Sequence, residues 1–177
     1  MPPFSAAALL VPLALLPISP PDTPGPAGLT PDQTVDTRFD RADGFVPAGA
    51  ITYAPDLVPY GAPVRVTVTR TPGHTAVAVE LAGVAGDHAF PAHVHTGRCE
   101  KDPAASGGHY LQAAGSDAAD NEVRMTVRTD ADGAGSASAT VPWEFRPGEA
   151  HSLVLHAGTP AGPHSPTDRA ACVDVDF

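Results

Sequence analysis

Residues 63–81, PVRVTVTRTPGHTAVAVEL, decide the fold expected of this chain, because they hold two alternating segments separated by a turn. In the first segment valines alternate with arginine and threonine. In the second, mostly apolar residues alternate with alanine and glutamate. Successive side chains of a strand point to opposite faces, so each segment predicts a half-buried β-strand. Thr71-Pro72-Gly73 between them is typical of a turn.

The same alternation returns later and extends the β prediction over the chain. Val123, Met125 and Val127 alternate with polar residues, and Asp132-Gly133 follows as a hairpin signal. Further strands are expected at residues 49–53, 90–95, 135–141, 152–156 and 170–175. About eight short strands with regularly spaced turns favour an all-β sandwich or barrel.

The first 32 residues differ in composition from the rest. Residues 6–16, AAALLVPLALL, form an apolar segment that has the size of a signal-peptide core and is too short to span a bilayer. The proline-rich residues 17–31 predict an extended linker. We therefore expect a signal-like segment and linker at residues 1–32, a folded β domain at residues 33–177, and no stable membrane span.

The charge balance excludes one class of partner. The chain has 20 acidic residues against 10 basic ones, a formal net charge of −10, and Lys101 is its only lysine. It has no basic run and no basic-aromatic patch, so nucleic-acid binding is not expected. The overall charge gives no help in attracting an anionic substrate, so any attraction must be local.

Histidines form the clearest functional pattern. His93 and His95, in residues 90–99 (FPAHVHTGRC), occupy alternate positions of a predicted strand. Both imidazoles therefore leave the same face, about 6.6 Å apart along the strand, and can bind one metal ion. His156 ends another predicted strand and is expected to leave the core for the outer face as well. With His109 from a long loop, three or four imidazoles would suit copper, zinc or nickel, the alternative being scattered surface histidines.

Cys99 and Cys172 are the two cysteines of the chain. A cytosolic protein would keep them as free thiols, whereas an exported protein would join them. The signal-like segment favours the disulfide. Both features predict a protein located outside the cytoplasm, either secreted or in the cell envelope.

Taken in order, these motifs resemble the copper/zinc superoxide dismutase family, especially its exported actinobacterial branch. His-Val-His followed by Cys, then Gly-Gly-His, Leu-Val-Leu-His and Arg-Ala-Ala-Cys occur in the family's order over about residues 50–177. The resemblance implies an eight-stranded Greek-key β-barrel or sandwich and a disulfide between Cys99 and Cys172. It also implies that Arg169 steers superoxide to the metal. Copper would be bound by four histidines: His93, His95, His109 and His156.

The chain departs from the family where the family binds zinc. The zinc site needs two further loop histidines and an aspartate, but no histidine follows His109 in its loop. Asp117 and Asp120 lie there, yet two carboxylates with His109 make a poor zinc site. The later loop, residues 157–168, is short and has no lysine or arginine. We expect a copper-only member in which another group, not identified by the sequence, orients His109.

The sequence thus predicts an exported copper-dependent superoxide dismutase, with superoxide as its substrate. Dismutation needs a metal that cycles between two oxidation states, which copper does and zinc does not. His109 would carry a proton during the reaction. Two alternatives stay open, namely a non-catalytic copper-binding protein outside the cytoplasm and a purely structural module. The presence of histidine at all four candidate positions argues against the structural module.

Overall fold

The computed structural model describes residues 31–43, 48–116, 118–158 and 168–177. The predicted signal-like segment, most of the linker and Asp117 lie outside these residues. A short 3-10 helix, Pro103–Ser106, follows the sixth strand, and no helix in the described ranges is long and apolar enough to cross a membrane. The strands found in these ranges are β1 Gln33–Arg38, β2 Asp40–Arg41, β3 Ala50–Thr52, β4 Pro63–Thr71, β5 His74–Leu81, β6 Ala89–His95, β7 Arg124–Arg128, β8 Gly135–Val141, β9 Ser152–His156 and β10 Arg169–Asp174.

The strands form two sheets, with the orders β1-β4-β5-β8 and β2-β3-β10-β9-β6-β7. The two segments of residues 63–81 become β4 and β5, an antiparallel pair in which Val66 lies opposite Val79 and Val68 opposite Val77. The chain crosses from one sheet to the other after β1, β3, β5, β7 and β8. Strands distant in the sequence therefore become neighbours, as in Greek-key folds.

The predicted all-β class is confirmed, and of the two architectures allowed by the sequence the structure is the sandwich. Its sheets stay open and do not close into a barrel. The strands also exceed the expected eight, because β1 and β2 come before the first predicted strand. Val35 is the only apolar residue of β1, so periodicity did not reveal this strand. It joins the sheet edge by backbone pairing with β4, for which side-chain hydrophobicity is not needed.

The main core lies between the two sheets and is rich in valine. Its members from β4, β5, β6 and β9 are Val64, Val66, Val68, Val77, Val79, Leu81, Phe90, Ala92, Val94, Leu153 and Leu155. The six-stranded sheet buries part of its other face too, in a small cluster of Ile51, Cys99, Val154 and Cys172. The Sγ atoms of Cys99 and Cys172 lie 2.04 Å apart, which confirms the predicted disulfide.

The disulfide fixes the loop after β6 over the outer face of the six-stranded sheet. Residues on that face are therefore covered as well, although the strand pattern points them away from the core. His95 and His156 both have no exposed surface. As predicted, both side chains point away from the core between the sheets. They are nevertheless buried, because the loop after β6 covers them.

Candidate metal centre

Three histidines meet on this covered face of the six-stranded sheet. His93 comes from β6, His156 from the end of β9 and His109 from the loop between β6 and β7. One ring nitrogen from each lies within 4.8 Å of the others. Neighbouring antiparallel strands β6 and β9 bring the first two together, and the rings of His93 and His109 stack with their centroids 4.1 Å apart. Convergent imidazole nitrogens of this kind are a donor set that fits copper or zinc.

His95 adds a fourth ring to the cluster, although its nitrogens are outside the group within 4.8 Å. Its ring centroid lies 4.9 Å from that of His109 and 5.6 Å from that of His156. Nδ1 lies 3.1 Å from the carbonyl oxygen of Gly107. Because a carbonyl only accepts, Nδ1 carries the proton and Nε2 holds the lone pair. Among the described residues, this buried Nε2 has no hydrogen-bond partner. Its lone pair is therefore available to bind a metal.

Burial also sets the charge of His95. It lowers the pKa of this imidazole to about 4, so the ring is neutral near pH 7. A neutral imidazole is the form that binds a metal, since protonation would remove the lone pair.

Backbone hydrogen bonds between the loop and the end of β6 position His109. Thr96 N donates to Gly108 O at 3.0 Å, and Tyr110 N donates to Val94 O at 2.8 Å. The loop segment around His109 therefore runs beside the end of β6, and the buried ring of Tyr110 anchors it in the core. The sequence motif Gly-Gly-His pointed to His109 but not to this pairing.

Glu122 is the site residue that the sequence analysis missed. It lies just before β7 with only 7% of its side chain exposed, and Oε2 lies 2.7 Å from His109 Nδ1 and 3.7 Å from His93 Nδ1. Oε1 accepts a hydrogen bond from Arg124 Nε. A carboxylate accepts, so His109 donates through Nδ1–H and keeps its lone pair on Nε2. Glu122 is therefore the group that orients His109, and no local pattern in the sequence distinguishes it from an ordinary loop acid.

Arg169 lies at the edge of the cluster, opposite His156 in the β9–β10 pair. Its guanidinium donates to the carbonyl oxygens of Pro103 and Gly107, the second at 2.5 Å. The Gly107 carbonyl thus accepts from both Arg169 and His95. The structure brings Arg169 to the site, and its role in attracting superoxide stays a prediction.

Asp120 does not join a metal-binding group among the described residues, and Asp117 lies outside them. The three-histidine group is the only one found in the described ranges. The backbone carbonyl of Asp120 accepts the indole N–H of Trp143 at 2.6 Å. Glu122 occupies the Nδ1 side of His109. A copper-only site stays a prediction.

Comparison with known proteins supports the fold. No family model matches the chain, and no curated protein matches it significantly. Solved structures do match it. A copper/zinc superoxide dismutase from Brucella abortus is 20% identical, with 81% of this chain and 100% of that chain covered at a TM-score of 0.51. A double mutant of a superoxide dismutase-like protein from Bacillus subtilis is 12% identical, with 66% and 92% covered at a TM-score of 0.51. The fold of this chain is that of the copper/zinc superoxide dismutases.

Proposed function

We propose that this protein is an exported, copper-dependent superoxide dismutase that works without zinc. The observation that carries the proposal is a buried cluster of four imidazoles in which a carboxylate, Glu122, orients His109. Neutral imidazoles suit copper in both of its oxidation states. The fold adds support, because it is shared with a copper/zinc superoxide dismutase.

The reaction turns two superoxide anions and two protons into one molecule of oxygen and one of hydrogen peroxide. One anion loses an electron, and the other gains an electron and takes up both protons. Copper held by the histidines would supply the one-electron exchange with each anion. The protein has to hold the metal, admit the anion and deliver protons.

The residues divide these tasks among them. Three side chains would only hold the metal: His93, His95 and His156. His109 would hold either the metal or a proton on Nε2, because Glu122 keeps the other ring proton on Nδ1. Arg169 would supply a positive charge at the edge of the site, which a chain of net charge −10 needs locally.

The disulfide supports a location outside the cytoplasm. The cytosol keeps thiols reduced, whereas the Cys99–Cys172 bond joins the loop over the site to β10. We therefore place the enzyme among secreted or cell-envelope proteins, where superoxide from outside the cell would be its substrate.

The test is the dismutation rate of the disulfide-bonded protein loaded with one equivalent of copper and no zinc. We expect a rate near the diffusion limit, unchanged when zinc is added. His156→Ala should lose stoichiometric copper, whereas His74→Ala should keep it, since His74 is exposed on β5. Tight copper without dismutation would contradict the proposal and favour the alternative of a non-catalytic copper-binding protein.

A further inference from the structure

A chain of polar contacts runs from solvent to the buried histidines. Arg124 begins β7 opposite His93 in the β6–β7 pair. Its Nε donates to one oxygen of Glu122, and the other oxygen of Glu122 accepts from His109. The side chain of Arg124 is 60% exposed and that of Glu122 only 7% exposed. Arg124 therefore forms the solvent end of this chain of contacts.

The orienting carboxylate creates an electrostatic difficulty for the proposed reaction. Glu122 places a negative charge beside His109, in the cluster that an anionic substrate has to reach, and the whole chain is already strongly acidic. Charges in a partly buried site interact more strongly than charges in bulk water. A cation in contact with Glu122 offsets this repulsion, and Arg124 is the cation in that position.

Arg124 also has donors available for an anion. A guanidinium has five N–H donors in a planar fork, and the hydrogen bonds of Arg124 among the described residues use Nε alone. By contrast, Arg169 donates through both terminal nitrogens to loop carbonyls. Of these two arginines, Arg124 is the one whose terminal nitrogens make no hydrogen bond among the described residues, and its side chain is 60% exposed.

We propose that Arg124 is a second anion-guiding residue of the metal centre, in addition to Arg169. The guanidinium of Arg124 offsets the charge of Glu122 and attracts small anions toward the histidine cluster through the terminal nitrogens that Glu122 does not use. The identity of the natural anion, superoxide, rests on the proposed function. The attraction itself depends only on charge and position.

The test measures anion affinity rather than turnover. Azide is titrated into the copper-loaded protein at low ionic strength, and binding is followed by visible absorption. Arg124→Gln should weaken azide binding roughly threefold to tenfold, and Arg124→Lys should stay close to the unsubstituted protein. Added salt should weaken binding in the unsubstituted protein and have less effect in Arg124→Gln.

Arg65 offers a matched control. Its side chain is 52% exposed and paired with Asp36, but it lies on β4 in the other sheet. Arg65→Gln changes the net charge by the same amount and should leave azide affinity nearly unchanged. An equal loss in both glutamine variants would indicate a net-charge effect and overturn the proposal.

Two further outcomes would also overturn it. The cupric electron paramagnetic resonance spectrum should be the same in Arg124→Gln and the unsubstituted protein, because a changed spectrum would mean that Arg124 acts by positioning Glu122. If Arg124→Gln fails to fold, azide affinity is compared at low and high salt in the unsubstituted protein and in Arg124→Lys. An azide affinity that does not change with salt in either protein would reject the inference. If azide affinity and its salt dependence are as expected but the protein does not dismutate superoxide, the proposed function is contradicted and the role of Arg124 in attracting anions still holds.

Discussion

At the scale of single residues, Glu122 determines how His109 is presented to the other imidazoles. One carboxylate oxygen lies 2.7 Å from His109 Nδ1, and the other accepts from Arg124. A buried carboxylate with both oxygens engaged is held in one position. It thereby fixes the ring tautomer of His109.

Replacing Glu122 should therefore weaken the metal site. In Glu122→Gln the amide cannot supply two charged acceptor oxygens, so His109 and Arg124 compete for one neutral oxygen. We expect copper affinity to fall roughly tenfold to a hundredfold, measured by competition with a chelator. Glu80→Gln, at an exposed position of β5, is the control and should bind copper normally. Unchanged affinity in Glu122→Gln would contradict the assigned role.

The second residue-scale prediction concerns pH. An unfolded histidine takes up a proton near a pKa of about 6.5, whereas burial lowers the pKa of His95 to about 4 in the folded protein. Between these values the unfolded state binds more protons, so the metal-free protein should lose stability as the pH falls through this window. The loss from His95 is at most about 3 kcal/mol.

Denaturant titrations of the metal-free protein at pH 7 and pH 4.5 measure this loss. His95→Gln should show a smaller difference between the two pH values, because the substituted side chain does not titrate. His74→Gln should behave like the unsubstituted protein, since His74 is exposed. If the stability of His95→Gln falls with pH as much as that of the unsubstituted protein, His95 is not the source of the loss.

At the scale of elements, the loop after β6 turns a sheet face into a buried site. Gly97 N donates to Ser106 O at 2.8 Å, which folds the loop back on itself. A Cβ atom at Gly97 would lie 2.1 Å from the carbonyl oxygen of Ala105, so only glycine permits this approach. The same loop presents the Gly107 carbonyl to His95 and Arg169.

Two adjacent glycines in this loop should respond differently to substitution. Gly107 has a φ of 71°, and an added Cβ would lie 2.5 Å from Thr96 Oγ1. Gly107→Ala should lower the free energy of unfolding by about 1–3 kcal/mol and weaken copper binding by displacing a carbonyl that His95 needs. Gly108 has nothing within 4 Å of the corresponding position, so Gly108→Ala should change neither quantity appreciably. Equal stability of the two variants in denaturant titrations would refute this account of the loop.

At the scale of the whole molecule, the disulfide connects elements that are distant in sequence. Cys99 and Cys172 are 73 positions apart, and their bridge packs against Ile51 and Val154. Cys99 N also donates to Asp174 Oδ1 at 2.8 Å. The loop that covers the site is thereby tied to β10.

Removing this bridge should cost stability throughout the domain. The double variant Cys99→Ser with Cys172→Ser should lose about 2–5 kcal/mol of unfolding free energy, measured by denaturant titration. Adding a reductant should lower the unfolding midpoint of the unsubstituted protein and leave that of the double variant unchanged. A double variant with the same midpoint as the oxidised protein would contradict a stabilising role.

The sequence by itself determined the features that depend on local spacing. Alternation in residues 63–81 predicted β4 and β5, because side-chain direction in a strand follows from position alone. The spacing of His93 and His95 placed both on one face for the same reason. The strand pattern also placed His156 on the outer face, and the resemblance, through the order of its motifs, added copper binding by the four histidines and the role of Arg169.

Only the tertiary structure decided how these parts combine. Glu122 becomes a site residue because loop folding brings it to His109, 13 positions away, and no periodic pattern encodes that contact. The choice of an open sandwich over a barrel depends on which strand edges pair, and β1 joins its edge through backbone groups that every residue has. The burial of His95 depends on a loop fixed by a disulfide to β10. These contacts are non-local, so they exist only once the chain has folded.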